Sequence, residues 1–351
     1  MLYNENKPKT FDQVKGQNVA ITIGKKLIQS PSEFPNLLLV GLHGSGKTST
    51  ALLFANALNC EAQNDGDPCG TCSSCKEYEN GVNYDIIEMD GASNNGVDDI
   101  RKIREEIGYP ARRNKKVYII DEAHRLSKGA FDALLKTMEE TPPHVCFILC
   151  TTEVEKIPKT IKSRLIRLDF SRIPEKDIIE NMERILKEKQ LSYDLSGIKL
   201  ISQLAAGSMR DALSMLEKCM WYGELNLKNI SYVLGLVDIF EVQRIVEEIL
   251  CKNYMEALHA INELYLSGKD MNQLAMDLMN TLRHLMVLQV TNDERLFDVD
   301  VSVLKDIKIK ESVCYDGISE MAVVIKNMKN SENPKMILDV GIIKLTNILT
   351  V

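Results

Sequence analysis

Leu37-Leu38-Leu39-Val40-Gly41-Leu42-His43-Gly44-Ser45-Gly46-Lys47-Thr48 is the stretch on which the reading of this chain turns. Four consecutive apolar residues suit a strand buried on both faces, and the apolar run Ala51 to Leu58 that follows suits a helix packed against it. Strand, glycine-rich bend and helix in this order form a phosphate-binding loop. Gly41, Gly44 and Gly46 let backbone N–H groups turn inward around phosphate oxygens, a curvature that a Cβ would obstruct. Lys47 supplies charge for β and γ phosphates, Thr48 a hydroxyl for Mg²⁺, and the helix start a favourable dipole. The flanking strand and helix argue against a glycine-rich turn without a ligand.

Outward from this loop, β-rich runs alternate with helical periods up to about Phe170. The runs are Leu37 to Val40, Tyr84 to Met89, Lys116 to Ile120, Val145 to Cys150 and Leu165 to Phe170, which predicts an α/β module with a five-stranded parallel sheet. Ser127 is the expected N-cap of a helix with the apolar stripe Phe131, Leu134, Leu135 and Met138. After Ser171-Arg172-Ile173-Pro174 only helical periods remain, with a softer break at Tyr222-Gly223-Glu224. The expected domains are 1–170, nucleotide-binding, 171–223, small and helical, and 224–351, an all-α bundle.

Val117-Tyr118-Ile119-Ile120-Asp121-Glu122 is an apolar strand ending in two carboxylates. Alone it is as well explained by a strand before a helix cap. Paired with the loop, it reads as the partner element in which Asp121 holds Mg²⁺ and Glu122 orients and deprotonates an attacking water. Asp121-Glu122-Ala123-His124 also fits a helicase box, but the Gly-Arg-rich motif such helicases carry later is missing.

The 351 residues carry 43 Lys and Arg against 50 Asp and Glu, a net charge of −7, which excludes a uniformly basic nucleic-acid binder. Met1 to Lys15 is polar and charged and no long apolar run follows, so the expectation is a soluble, cytoplasmic chain without a membrane partner. Four of nine cysteines, Cys60, Cys69, Cys72 and Cys75, crowd into one short segment at 60–75. Two Cys-x-x-Cys steps and four sulfurs with no open position point to a structural tetrahedral Zn²⁺. An iron–sulfur cluster and a redox dithiol are the competing readings. Cys146, Cys150, Cys219, Cys251 and Cys314 read as buried small hydrophobes.

Together these elements resemble the gamma/tau subunits of bacterial DNA polymerase III, the ATP-driven motor of the sliding-clamp loader. The resemblance is densest from Thr10 to Leu216 and includes Asp90-Gly91-Ala92-Ser93-Asn94-Asn95-Gly96-Val97-Asp98 and the run Gly129 to Glu140. It implies a AAA+ ATPase module with a zinc-binding insert, a helical lid at 171–223, and a collar at 224–351 through which subunits oligomerise. By position in the family, Thr152 resembles sensor 1, Arg164 the arginine finger acting on a neighbour's site in trans, and Arg210 sensor 2 reaching ATP from the lid. The implied partners are delta, delta-prime and further gamma/tau copies, the sliding clamp and primer-template DNA. A non-hydrolysing, delta-prime-like scaffold is the alternative, disfavoured by the intact Gly46-Lys47-Thr48 and Asp121-Glu122.

The chain departs from the family at three places: Lys7-Pro8 replaces Arg-Pro, Leu165 replaces the Cys after Ser163-Arg164, and His43 stands where Arg is common. Asn94, Asn95 and Gly96 precede a helix carrying Arg101, Lys102 and Arg104, which makes Asn94, Asn95 and Arg101 candidates for DNA contact. A capped helix with solvated charges explains the same residues, since Asp98 and Asp99 offset the bases. Arg112, Arg113, Lys115 and Lys116 read as an exposed basic loop. The chain closes at Val351 after an amphipathic stretch, Pro334 to Leu349, which reads as a short, gamma-like form.

Overall fold

The computed structural model describes residues 1–30, 33–237, 239–291, 293 and 311–349. They form two compact units, Met1–Leu225 and Asn226–Val351.

The first unit is built on five strands, β1 (Leu37–Gly41), β2 (Ile86–Asp90), β3 (Lys116–Asp121), β4 (Val145–Thr151) and β5 (Ile166–Phe170). All pairings are parallel, in the order β2-β3-β4-β1-β5. The apolar runs set that order. All seven residues of β4 and the first four of β1 are buried, as central strands covered on both faces must be. β5 exposes Ile166, Arg167 and Asp169, as an edge strand can. Pairing of Val40 with Thr151 and of Ile120 with Leu149 makes the C-terminal ends of β1, β4 and β3 level. The phosphate-binding loop and the paired carboxylates therefore share one edge of the sheet, where open α/β sheets carry ligands.

One face of the sheet is covered by α2 (Asn18–Ile28) and α3 (Lys47–Leu58), around a core holding Phe11 and Phe54 with ring centroids 5.3 Å apart. The other is covered by α5 (Val97–Glu106), α6 (Lys128–Glu139) and α7 (Lys159–Lys162), around Tyr118 and Phe147. Ser127 caps α6 by accepting from the Ala130 N–H at 3.2 Å. A short N-terminal helix, α1 (Leu2–Glu5), and α4 (Ser73–Glu79) behind the cysteine segment complete this part. Three helices follow β5: α8 (Glu175–Glu188), α9 (Leu195–Leu204), capped by Asp194, and α10 (Met209–Tyr222), capped by Ser208.

The second unit contains α11 (Leu227–Val233), α12 (Ile239–Leu250), α13 (Tyr254–Leu266), α14 (Met271–Thr291), α15 (Glu311–Met328) and α16 (Pro334–Ile348) around a core of its own. Gly317 and Gly341 allow close packing there: a Cβ at Gly341 would stand 2.5 Å from Val324 Cγ2. No described helix is long and apolar enough to cross a membrane.

Three readings need correction. The second strand begins at Ile86 rather than Tyr84, because Tyr84 is exposed beneath the Arg112 guanidinium, 4.2 Å away, and the Asp85 carboxylate accepts the Arg112 and Arg113 N–H groups. The basic run 112–116 is not an open loop. Lys115 is buried, its Nζ donating to Pro143 O, and Arg113 is bound by Glu61, Ser73 and Glu77. Cys251 lies just past the end of α12 and is exposed, whereas Cys146, Cys150, Cys219 and Cys314 are buried.

Candidate functional site: a phosphate loop, two carboxylates and a four-thiol clip

The loop bends where its glycines permit. Gly44 and Gly46 have φ of +72° and +95°, and a Cβ at Gly41 would stand 2.5 Å from Phe170 O. Lys47 begins α3 with its ammonium buried, donating to Gly41 O at 2.9 Å and Leu42 O at 2.8 Å. Burial lowers its pKa, against the opposing pull of Cys150, Asp121 and Glu122. A charge held this way by two neutral carbonyls gains if phosphate oxygens replace them.

Thr48 Oγ1 donates to Asp121 Oδ2 at 2.7 Å, so the hydroxyl and carboxylate expected to hold Mg²⁺ are already adjacent. Hard oxygen donors of this kind fit that ion. The other oxygen, Asp121 Oδ1, accepts the Glu122 N–H at 2.9 Å. Glu122 itself sits at φ +46°, a left-handed conformation uncommon without glycine, at the turn out of β3. Gly91 permits close approach beside it, since a Cβ there would be 2.9 Å from Asp121 O.

These groups open on a cavity of about 560 Å³, whose walls also include Tyr3, Lys7, Met209 and Arg210. That volume suits a ligand of nucleotide size. Arg210 reaches the cavity from α10, its guanidinium 4.8 Å from the Tyr3 ring centroid and Nη1 3.4 Å from His43 Nε2. The helix is held against the loop by the Met209 N–H, which donates to Gly44 O at 3.1 Å.

Thr152 and Arg164 are not in that wall. Thr152 is half-buried just past β4. Arg164 is 39% exposed after α7, where Nη2 donates to Glu139 Oε1 at 2.6 Å and Nη1 to Thr160 O at 2.8 Å. Asn94 and Asn95 lie in the turn before α5. The Asn94 N–H and amide both donate to Asp90 O, and Asn95 O accepts the Ser127 N–H. Arg101 pairs with Asp98 at 2.8 Å, Lys102 with Asp99 at 3.5 Å and Arg104 with Glu140 at 2.8 Å, while the Gly96 N–H meets Asp99 Oδ2 at 3.3 Å. The bases of that helix are thus shared among carboxylates of the same surface.

The four thiols converge. Their sulfurs all lie within 4.8 Å of one another, with Cys60–Cys72 at 3.9 Å and Cys69–Cys75 at 4.0 Å. A zinc ion about 2.3 Å from each of four sulfurs would set them roughly 3.8 Å apart, so the arrangement fits that ion with little movement. N–H groups already point at the sulfurs, from Cys69 to Cys60 at 3.2 Å, from Cys72 to Cys69 at 3.3 Å and from Cys75 to Cys72 at 3.5 Å. The Thr71 hydroxyl, then the Thr71 and Cys72 N–H groups, lower Cys69 to about 6, while burial raises Cys60 and Cys75.

The clip is fastened to the sheet domain by charge pairs that the sequence does not announce. Asp67 accepts the Phe11 N–H at 2.6 Å and pairs with Lys25 at 2.9 Å, and Arg113 joins Glu61 and Glu77. Also missed was His124, whose imidazole lies between Glu122 and Glu153. The signal is the fourth residue of the Asp121-Glu122-Ala123-His124 box.

Fold and site together define a AAA+ P-loop module with a four-cysteine insert, extended by a helical lid and an all-α collar. Three family profiles cover it in succession: DNA polymerase III, delta subunit, over residues 16–174; DNA polymerase III clamp loader subunit, ATPase lid domain, over 177–224; and DNA polymerase III subunits gamma and tau domain III, over 225–311. The gamma subunit of Buchnera aphidicola (subsp. Schizaphis graminum) is 37% identical over 292 residues, 82% of this chain and 80% of that one. The tau subunit of Bacillus subtilis is 36% identical over 359 residues, 98% of this chain but 62% of that one; the tau subunit of Escherichia coli is 35% identical, across 83% and 46%. The chain belongs to the gamma/tau subunit family of bacterial DNA polymerase III. Among solved structures, the Thermotoga maritima RuvB Holliday junction branch migration motor superposes with a TM-score of 0.50 at 18% identity, over 75% of this chain and 86% of that one, a likeness of fold.

Proposed function

We propose that this chain is an ATP-hydrolysing motor subunit of the DNA polymerase III clamp loader. The observation that carries the reading is the adjacency of Thr48, Asp121 and Glu122 at the mouth of a cavity floored by Lys47. A protein that only binds nucleotide has no need of a carboxylate base beside its magnesium ligands. Lys47 and the N–H groups of Gly41, Gly44 and Gly46 hold the phosphates, Thr48 and Asp121 hold Mg²⁺, and Glu122 takes the proton of the attacking water. Thr152 and Arg210 respond to the γ-phosphate, one from the end of β4 and one from α10.

Arg164, outside its own cavity and exposed, completes a neighbouring subunit's site. Residues 1–170 act as the motor, 171–223 as the lid and 224–351 as the oligomerising collar, with delta, delta-prime and further gamma/tau copies as neighbours. ATP binding between subunits opens the sliding clamp, and primer-template DNA, met through Asn94, Asn95 and Arg101, triggers hydrolysis and release. Cys60, Cys69, Cys72 and Cys75 hold a structural zinc.

The reading is tested by ATPase activity of the purified chain, alone and with clamp, partner subunits and primed DNA. Lys47→Ala should abolish nucleotide binding. Glu122→Gln should keep binding and lose hydrolysis. No turnover by the unmodified chain under any of these conditions would instead support a non-hydrolysing scaffold, a reading that draws on the delta-subunit profile over 16–174.

A further inference from the structure

His124 stands two residues beyond Glu122, on the 3-10 turn Ala123–Arg125, with its side chain 5% exposed. Its Nδ1 is 3.2 Å from Glu122 Oε2 and 3.2 Å from Thr151 Oγ1; its Nε2 is 3.2 Å from Glu153 Oε1. Glu153 is anchored in turn. Its N–H donates to Thr151 Oγ1 at 3.1 Å, and Lys156 Nζ reaches its carboxylate at 2.9 Å. The imidazole therefore spans from the end of β3 to the turn after β4, and Thr152 is the residue between its two anchors on that turn.

A buried ring with a specific partner at each nitrogen is not a solvated surface charge. A carboxylate base works only if one oxygen faces the water, and the recurrent means of fixing it is a third group that holds the other oxygen. We propose that His124 is a positioning residue for hydrolysis: it holds Oε2 of Glu122, which leaves Oε1 for the attacking water, and it ties that orientation to the turn carrying Thr152. The proposal rests on the assignment of Glu122 as the base.

The chemistry of the ring gives the link two states. In a neutral imidazole one nitrogen donates and the other accepts. Nδ1 hydrogen-bonds Thr151 Oγ1 and stands as close to Glu122 Oε2, so with hydrogen on Nδ1 a small rotation lets the ring hold Glu122. With hydrogen on Nε2 it holds Glu153, accepts from the Thr151 hydroxyl and lets Glu122 go. Movement of the β4 turn is thereby converted into a change at the base without any contact between Glu122 and Thr152.

The test uses the full chain assembled with clamp, partner subunits and primed DNA, measuring steady-state hydrolysis and nucleotide affinity. His124→Ala should lower kcat about tenfold or more, a part of what a general base supplies, with KM and nucleotide affinity within twofold of the unmodified chain. His124→Asn, which keeps a donor near the Nδ1 position, should recover several-fold of that loss. Glu153→Gln removes the acceptor that draws hydrogen to Nε2, and its amide can donate to that nitrogen, so it should favour the hold on Glu122 and raise kcat several-fold on its own, with no effect in the His124→Ala background, because both act through one linkage.

An unchanged kcat in His124→Ala overturns the proposal. So does a parallel loss of nucleotide affinity and kcat, or multiplicative effects in the double variant. Should His124→Ala fail to fold, Glu153→Gln decides: its side chain is 47% exposed, and an unchanged kcat there refutes the link. Hydrolysis surviving in Glu122→Gln would refute the base assignment instead, so the two failures are distinguishable.

Discussion

Gly44→Ala should loosen α10 from the phosphate loop. Gly44 has φ +72°, and a Cβ built there would stand 1.9 Å from Ser208 Oγ and 3.0 Å from Ser208 Cβ. Ordinary non-bonded contacts are near 3.5 Å, so Ser208 must retreat by about 1.5 Å. Its hydroxyl can swing away only by giving up the N-cap bond from the Asp211 N–H, at 3.3 Å, which costs about 1 kcal/mol. The left-handed backbone adds about 1 to 2 kcal/mol for any residue with a Cβ. The sum is roughly 2 to 3 kcal/mol. Ser208→Gly removes both clashing atoms and, as a glycine N-cap, costs only a few tenths of a kcal/mol. The double variant should therefore retain the backbone cost and lose the clash, for a coupling of about 1 kcal/mol. Urea unfolding followed by circular dichroism on Gly44→Ala, Ser208→Gly and the pair measures that coupling. Weaker nucleotide binding in Gly44→Ala should be partly restored in the pair, since Met209 and Arg210 follow Ser208 directly. Additive effects, or a Gly44→Ala chain as stable as the original, would refute the argument.

Arg164→Ala should leave nucleotide affinity within twofold and lower DNA-stimulated hydrolysis at least about a hundredfold in the reconstituted assembly, as expected of an arginine finger; undiminished turnover counts against the assignment in trans. Arg113→Ala breaks the bridge to Glu61, Ser73 and Glu77 and should both destabilise the chain by about 1 to 2 kcal/mol and speed zinc release to a chromogenic chelator; an unchanged release rate would show that the clip stands without it. Burial lifts Asp277 from the usual 3.8 to about 6, with the Gln273 amide opposing it. The folded chain therefore holds this proton more tightly than the unfolded one, so its contribution is complete below pH 3.8 and is lost as pH rises through 6. Two pKa units correspond to about 3 kcal/mol, so Asp277→Asn should stabilise the second unit by up to that order at pH 8 and hardly at all at pH 4; equal effects at both pH values would contradict the assigned cause.

What could be read from the sequence, and what could not, follows the range of the forces involved. β1 and its loop were legible because a doubly buried strand must be apolar throughout and a backbone wrapped around phosphate must be glycine-rich, so both constraints act within a dozen neighbouring residues. The thiols of Cys60, Cys69, Cys72 and Cys75 were legible for the same reason: four sulfurs that can share one tetrahedral ion must be closely spaced along the chain. Arg113 was misread because its partners Glu61 and Glu77 lie 52 and 36 residues away, and nothing local distinguishes a bound arginine from a solvated one. Cys251 reads as buried from its residue type and apolar neighbours, but it lies one residue past the end of α12 and is exposed.

His124 falls between these cases. Its two-residue spacing from Glu122 was in plain view, but its second partner, Glu153, comes from another strand's end, and only the register of β3 against β4 brings them level. The groups proposed to bind nucleotide are encoded locally, on one loop and one strand end, whereas those proposed to link binding to its consequence are assembled across strands. Arg210 shows the same division: it meets His43 from 167 residues away, through a helix whose own sequence announces only an apolar stripe and a serine cap. The proposed motor role requires such a division, because a sensor encoded next to the group it senses would have no second element to move.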